Sequence, residues 1–151
     1  MSRVYLIGQT MNYTALAIIA ALFTASAASA DETDAAGRIS LELNTAETVE
    51  GSCKLTFLIT NGYAQAVEQA IYETVLFDRA GQVNVITLFD MGALPPALPR
   101  VRQFVVPQVV CEDLGRVLIN GTSTCTGADL PLDACAKGLT LSTRTDIDVI
   151  G

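Results

Sequence analysis

The side chains in this sequence that could do chemistry are sixteen carboxylates, four cysteines, two lysines and scattered serines; histidine does not occur at all. Histidine is the commonest general base and metal ligand at neutral pH. Its absence removes Ser-His-Asp and Cys-His nucleophilic sites, His-ligated zinc, blue copper and zinc deaminase chemistry. Ser52, Ser123 and Ser142 have no neighbouring base, and Lys54 and Lys137 lie in no apolar run that would depress an amine pKa. Glu112-Asp113 beside Cys111, and Asp129 with Asp133, could bind Ca²⁺ through loop oxygens. Calcium needs six to eight oxygens from a shaped loop. No D-x-D-x-D-G pattern is present, and Leu130-Pro131-Leu132 separates the second pair, so both read as solvated loop charge. Paired carboxylates could serve as a glycosidase acid and base, but a small domain offers little room for a sugar cleft. No P-loop or G-x-G-x-x-G occurs. The expectation is a non-enzyme with no cofactor, no catalytic residues and no resident metal.

The elements that position these residues begin after a targeting segment. Ala15 to Phe23 is an unbroken apolar run, too short to span a bilayer. Ala28-Ser29-Ala30 follows as an A-x-A cleavage pattern, with Asp31 beyond it. Residues 1–30 therefore read as a signal peptide, 31–38 as a flexible leader and 39–151 as a single domain. An uncut N-terminal anchor is the alternative. Of 151 residues, 121 remain after cleavage. The whole chain carries a net charge of −7, which argues against nucleic acid and anionic membranes as partners. Half the residues are hydrophobic and mean hydropathy is +0.41.

The mature part reads as strands broken by turns. Ile39, Leu41 and Leu43 alternate with polar residues. Cys53–Thr60 has Leu55, Phe57 and Ile59 on one face and ends at Asn61-Gly62. Ile71–Asp78 and Val83–Phe89 form a hairpin across Arg79–Gln82. Met91–Pro99, with three prolines, reads as a stiff connection rather than strand. Val101–Val106 and Leu114–Asn120 follow, then a polar loop over 121–138. Leu139–Val149 alternates most regularly of all and reads as one final strand. Phe57, Tyr72, Phe77, Phe89 and Phe104 sit at strand spacing and are assigned to the core.

Seven strands in this length predict an all-β, antiparallel Greek-key sandwich. The chain resembles immunoglobulin-like and fibronectin-III-like domains, without the tryptophan of antibody domains. The stretches LTFLITNG (55–62), VLFDRAGQV (75–83) and CEDLGRVLING (111–121) also resemble small exported alphaproteobacterial proteins of unknown function, often labelled as carrying Tat-pathway signals. The arginine pair of such signals is absent here. The resemblance implies a fold and supplies no catalytic residue.

An even cysteine count in an exported domain reads as two disulfides. Gaps of 58, 14 and 10 residues do not suit a metal site. In an alternating seven-strand sandwich, Cys53 and Cys111 fall at one end and Cys125 and Cys135 at the other. A Cys111–Cys125 bridge would have to span a whole strand, roughly 23 Å against the ~7 Å a disulfide allows. The expected pairs are Cys53–Cys111 and Cys125–Cys135.

The functional expectation is an exported protein, periplasmic or secreted, that binds another envelope protein as an accessory subunit and is monomeric in isolation. Two segments are candidate partner surfaces. One is the apolar, pre-extended segment Met91–Pro99, with Leu94, Pro95, Pro96 and Leu98; the other is loop 121–138. Tyr63, read as exposed in the Asn-Gly turn, is a separate candidate anchor. The alternatives are a pilin-like or coat-like subunit that polymerises by strand exchange, and a carboxylate-based Ca²⁺ binder.

Overall fold

Strand β1 (Ile39–Val49) buries every second side chain at its start, Ile39, Leu41 and Leu43, as a strand with one wet face must. Glu50 and Gly51 both take positive φ and turn the chain directly into β2 (Ser52–Asn61). That two-residue geometry matches the twist of paired strands, and glycine meets it without strain. β3 (Val67–Asp78) and β4 (Val83–Leu94) form the second hairpin, closed by the Asp78 carboxylate accepting the Gln82 N–H. β5 (Arg100–Val106), one 3₁₀ turn at Cys111–Asp113, β6 (Leu114–Thr126), β7 (Thr140–Thr143) and β8 (Asp148–Ile150) complete the chain. The structure, a computed structural model, describes residues 37–151; the expected signal peptide and the leader through residue 36 lie outside the described residues.

Two four-stranded sheets result, ordered β5-β2-β1-β7 and β4-β3-β6-β8. Their inner faces supply the core: Leu55, Phe57 and Ile59 of β2 against Tyr72 and Leu76 of β3, Met91 of β4 and Val117 of β6. Phe89 stacks on Phe104 across the two sheets, with ring centroids 4.1 Å apart, and closes one side of the sandwich. The all-β, two-sheet expectation therefore holds in outline.

The seven-stranded antiparallel detail does not. Among the described residues there are eight strands in mixed sheets, because the expected last strand is two. β7 runs parallel to β1, with Leu41 opposite Leu141. The chain then reverses through Arg144–Ile147, and β8 runs parallel to β6, with Val117 opposite Val149. Side-chain alternation continues through the reversal, so sequence period alone reads it as one strand. The reversal is built from local hydroxyl bonds. The Thr143 Oγ1 accepts the Thr145 N–H, and the Thr145 Oγ1 accepts the Ile147 N–H, while Ile147 is buried. Such side-chain-to-backbone bonds compete with strand pairing.

Both expected disulfides are present. Cys53–Cys111 joins the start of β2 to the 3₁₀ turn before β6, and Cys125–Cys135 joins the end of β6 to the following loop. Three further residues depart from expectation. Gly37 and Arg38, assigned to the flexible leader, pair with Gly62 through both backbone directions. Phe77 points to the outer face of its sheet rather than into the core.

Ion pairs hold the reversal to both sheets. Arg144 meets Glu42 of β1 at 2.8 Å, and Arg79 of the β3–β4 turn meets Asp146 at 2.8 Å. Arg79 Nε also donates to the Glu112 carbonyl, and the Glu112 carboxylate accepts Thr48 Oγ1 at 2.6 Å. Hydrogen bonds from Asn44 and Arg144 hold the Glu42 pKa below its ordinary value; Thr48 does the same for Glu112, and Arg79 for Asp146.

Two outcomes follow for stability. Replacing both Cys53 and Cys111 by alanine should cost about 4 kcal/mol, and replacing Cys125 and Cys135 about 3, in the chain-entropy account of loops of these lengths; denaturant melts measure both. The three carboxyls bind a proton more weakly in the folded chain than in the unfolded one. Their stabilisation is therefore complete above about pH 5 and is lost as pH falls through the folded-state values. Amide protection factors over 140–150 should drop below about pH 4 before those of β2 do.

Candidate docking surface

The residues singled out in the sequence do not assemble into a reaction centre. Glu112 and Asp113 are taken up by contacts to Thr48 and, through their carbonyls, to Arg79. Asp129 and Asp133 both take positive φ, and the Asp133 carbonyl accepts the Ala136 and Lys137 N–H groups in its own turn. Lys54 pairs with Glu47 at 2.6 Å. Among the described residues no three His, Cys, Asp or Glu side chains stand close enough to hold a metal ion.

The proline segment is organised differently from the sequence reading. β4 continues to Leu94, so Met91–Leu94 is strand. Gly92, at φ 64°, absorbs the shift in register opposite Ala70, and its N–H is held by the Asp90 carboxylate. Periodicity missed this extension because a glycine and two following prolines interrupt it. Leu94 is fully buried, and its carbonyl accepts Asn61 Nδ2 at 2.9 Å. Asn61 is itself buried. It donates also to the Gln65 carbonyl, its Oδ1 accepts the Tyr63 N–H, and its own carbonyl accepts the Ala97 N–H. Tyr63 is half-buried against the core. Pro95 and Pro96 are half-buried, and of the proposed contact residues only Leu98 is well exposed.

Loop 121–138 is shorter than expected because β6 runs to Thr126. Cys135 is tied twice, by its disulfide and by its carbonyl, which accepts the Tyr72 hydroxyl at 3.0 Å. Burial pushes the Tyr72 phenol pKa well up, so this donor stays protonated. A cleft of about 290 Å³ lies beneath, lined by Tyr72, Ile119, Thr122, Leu139 and Leu141.

A contiguous exposed apolar feature lies elsewhere, on the outer face of β4-β3-β6-β8. Strand register places its side chains in rows. One row crosses all four strands: Ile86, Val75, Leu118 and Ile150. The row beside it holds Val83, Phe77 and the Arg116–Asp148 ion pair, with N···O 3.3 Å. On the other side lie Leu88 and Glu73, then Asp90 and Ile71. Ile86 is 64% exposed, Val83 and Leu88 56% each, and Ile150 43%. Val75 is only 6% exposed although it faces outward, because its row neighbours cover it. Contiguous apolar surface of this kind marks interaction sites, whereas scattered apolar residues do not.

None of these residues was singled out from the sequence as a contact residue, and Phe77 was assigned to the core, yet a signal was there. A strand with one wet face alternates. Val75-Leu76-Phe77, Val85-Ile86 and Val117-Leu118-Ile119 are apolar on both faces.

No helix of the described residues is long and apolar enough to cross a membrane. No family model and no curated protein matches the chain. A solved structure described as the structural characterization of IrmA from Escherichia coli is similar, with a TM-score of 0.52 at 15% identity, covering 71% of this chain and 91% of that one. At that identity the likeness concerns the fold alone.

The Asn61 carboxamide predicts a measurable cost. Asn61→Ala strands the Leu94 and Gln65 carbonyls and the Tyr63 N–H, and should destabilise by about 2–4 kcal/mol in a denaturant melt. Leu98→Ser, at an exposed site, should change stability by less than about 0.5 kcal/mol.

Proposed function

We propose that this chain is an exported, immunoglobulin-like or fibronectin-III-like binding module that docks another protein of the cell envelope or exterior through the outer face of β4-β3-β6-β8. The observation that carries this reading is the apolar row Ile86–Val75–Leu118–Ile150 with its exposed neighbours Val83 and Leu88. The core is already filled from the inner faces, so these side chains are not needed to close the fold. The order in which the chain crosses between sheets, with β1, β2 and β5 in one and β3, β4 and β6 in the other, supports the immunoglobulin-like assignment. Two disulfides suit an oxidising compartment, periplasm or exterior, and so support the signal-peptide reading of 1–30.

A strand-exchange subunit is the second reading, and one observation favours it. Among the described residues β6 is paired on its β8 side only from Arg116 to Leu118, beside the cleft under Leu139 and Leu141. Size-exclusion chromatography showing a stable monomer would remove it.

The docking reading is tested by tagging the chain in its own cell, cross-linking and comparing it with the Ile86→Asp, Leu88→Asp double variant. Both positions are exposed, so the variant should keep its melting temperature. The wild type should retain one or a few partners that the variant loses. Equal retention by both would sink the assignment to this face.

A further inference from the structure

The charges around the apolar row narrow the kind of partner it fits. Glu73 lies on β3 between Leu88 and the β6 position Gly121, and Asp90 lies one row further on, opposite Ile71. Their hydrogen-bond partners are neutral: Asn120 for Glu73, and Gln69 and the Gly92 N–H for Asp90. Among the described residues neither carboxylate meets a cation. Arg116 is the face's cation, and Asp148 already answers it across the neighbouring pair of strands.

From this arrangement we infer that the face takes a heterologous protein surface with an apolar centre and Lys or Arg at the edge that meets Glu73 and Asp90. This rests on the docking reading above and specifies the partner. A second copy of the chain fits poorly. Face-to-face packing of two copies would enclose two such carboxylates from each, four in all, within one apolar contact. Desolvated charge without an opposite partner is strongly unfavourable. Two chains of net charge −7 also repel at long range. A cationic rim reverses both effects, raising the encounter rate and fixing orientation.

The same chemistry can be read with small probes that combine an alkyl chain with one charge. Octylammonium and octyl sulfate, both below micelle formation, are titrated into methyl- and amide-labelled protein. Octylammonium should shift the methyl signals of Val75, Ile86, Leu88, Leu118 and Ile150 together with the Glu73 and Asp90 amides. It should bind there roughly fivefold more tightly than octyl sulfate, as expected for exposed charge pairs. The Glu73→Gln, Asp90→Asn double variant should bring the two probes level at this face while the apolar shifts persist. Equal or stronger binding of octyl sulfate, or ammonium shifts confined to other surfaces, would overturn the inference. So would sedimentation showing a stable dimer whose contact is broken by Ile86→Asp.

Partner capture separates the two readings. Retention lost with Ile86→Asp and Leu88→Asp, and weakened by Glu73→Lys and Asp90→Lys, supports the cationic partner. Retention lost with the first pair but untouched by the second leaves the docking face standing and overturns the charge assignment.

Discussion

Strand β2 is fixed at both ends, and the sandwich is organised around that. At one end the buried Asn61 carboxamide bonds to three backbone groups, two in the β2–β3 connection and one at the end of β4. At the other, Cys53 is covalently joined to the chain entering β6. Buried backbone groups must find partners, and the points where a chain leaves one sheet for the other are where partners are scarce. Asn61 supplies them at one crossing, and the disulfide ties the other. Between these anchors β2 lies in the middle of its sheet, with Leu55, Phe57 and Ile59 pressed against the opposite one.

With the interior filled this way, the outer face of the second sheet is free of structural duty. Its apolar side chains come from strands that are apolar on both sides, a pattern usual for strands covered on both faces. Here one cover is the core, and among the described residues nothing covers the other side. The two loops that looked most like binding elements carry less of that burden. The proline segment is drawn into β4 and pinned by Asn61, and the cystine loop is pinned by Tyr72 and its disulfide.

Much of the fold was legible because burial has a period. Alternation places β1 and β2, and turn residues place the β3–β4 hairpin. The cysteine pairing followed from the length of a strand against the reach of a disulfide. What escaped had no periodic mark. The reversal at Arg144–Ile147 keeps an alternating pattern while changing direction, because threonine hydroxyls turn the backbone there. The extension of β4 through Gly92 hides behind a register shift and prolines. The candidate surface was missed for a different reason: apolar residues at outward positions look like core until it is known which face is already covered.

The pairing of β7 with β1 joins residues about a hundred positions apart, Ser40 with Thr140. A chain that emerges N-terminus first presents β1 long before its neighbour on that side exists. Until residues 140–143 arrive, one edge of β1 has open hydrogen-bonding groups, the kind of template that recruits other strands. Distant pairings of this sort also slow the search for the folded state. A segment made late thus seals one made early, so the time between the two is when the chain most needs protection from its neighbours.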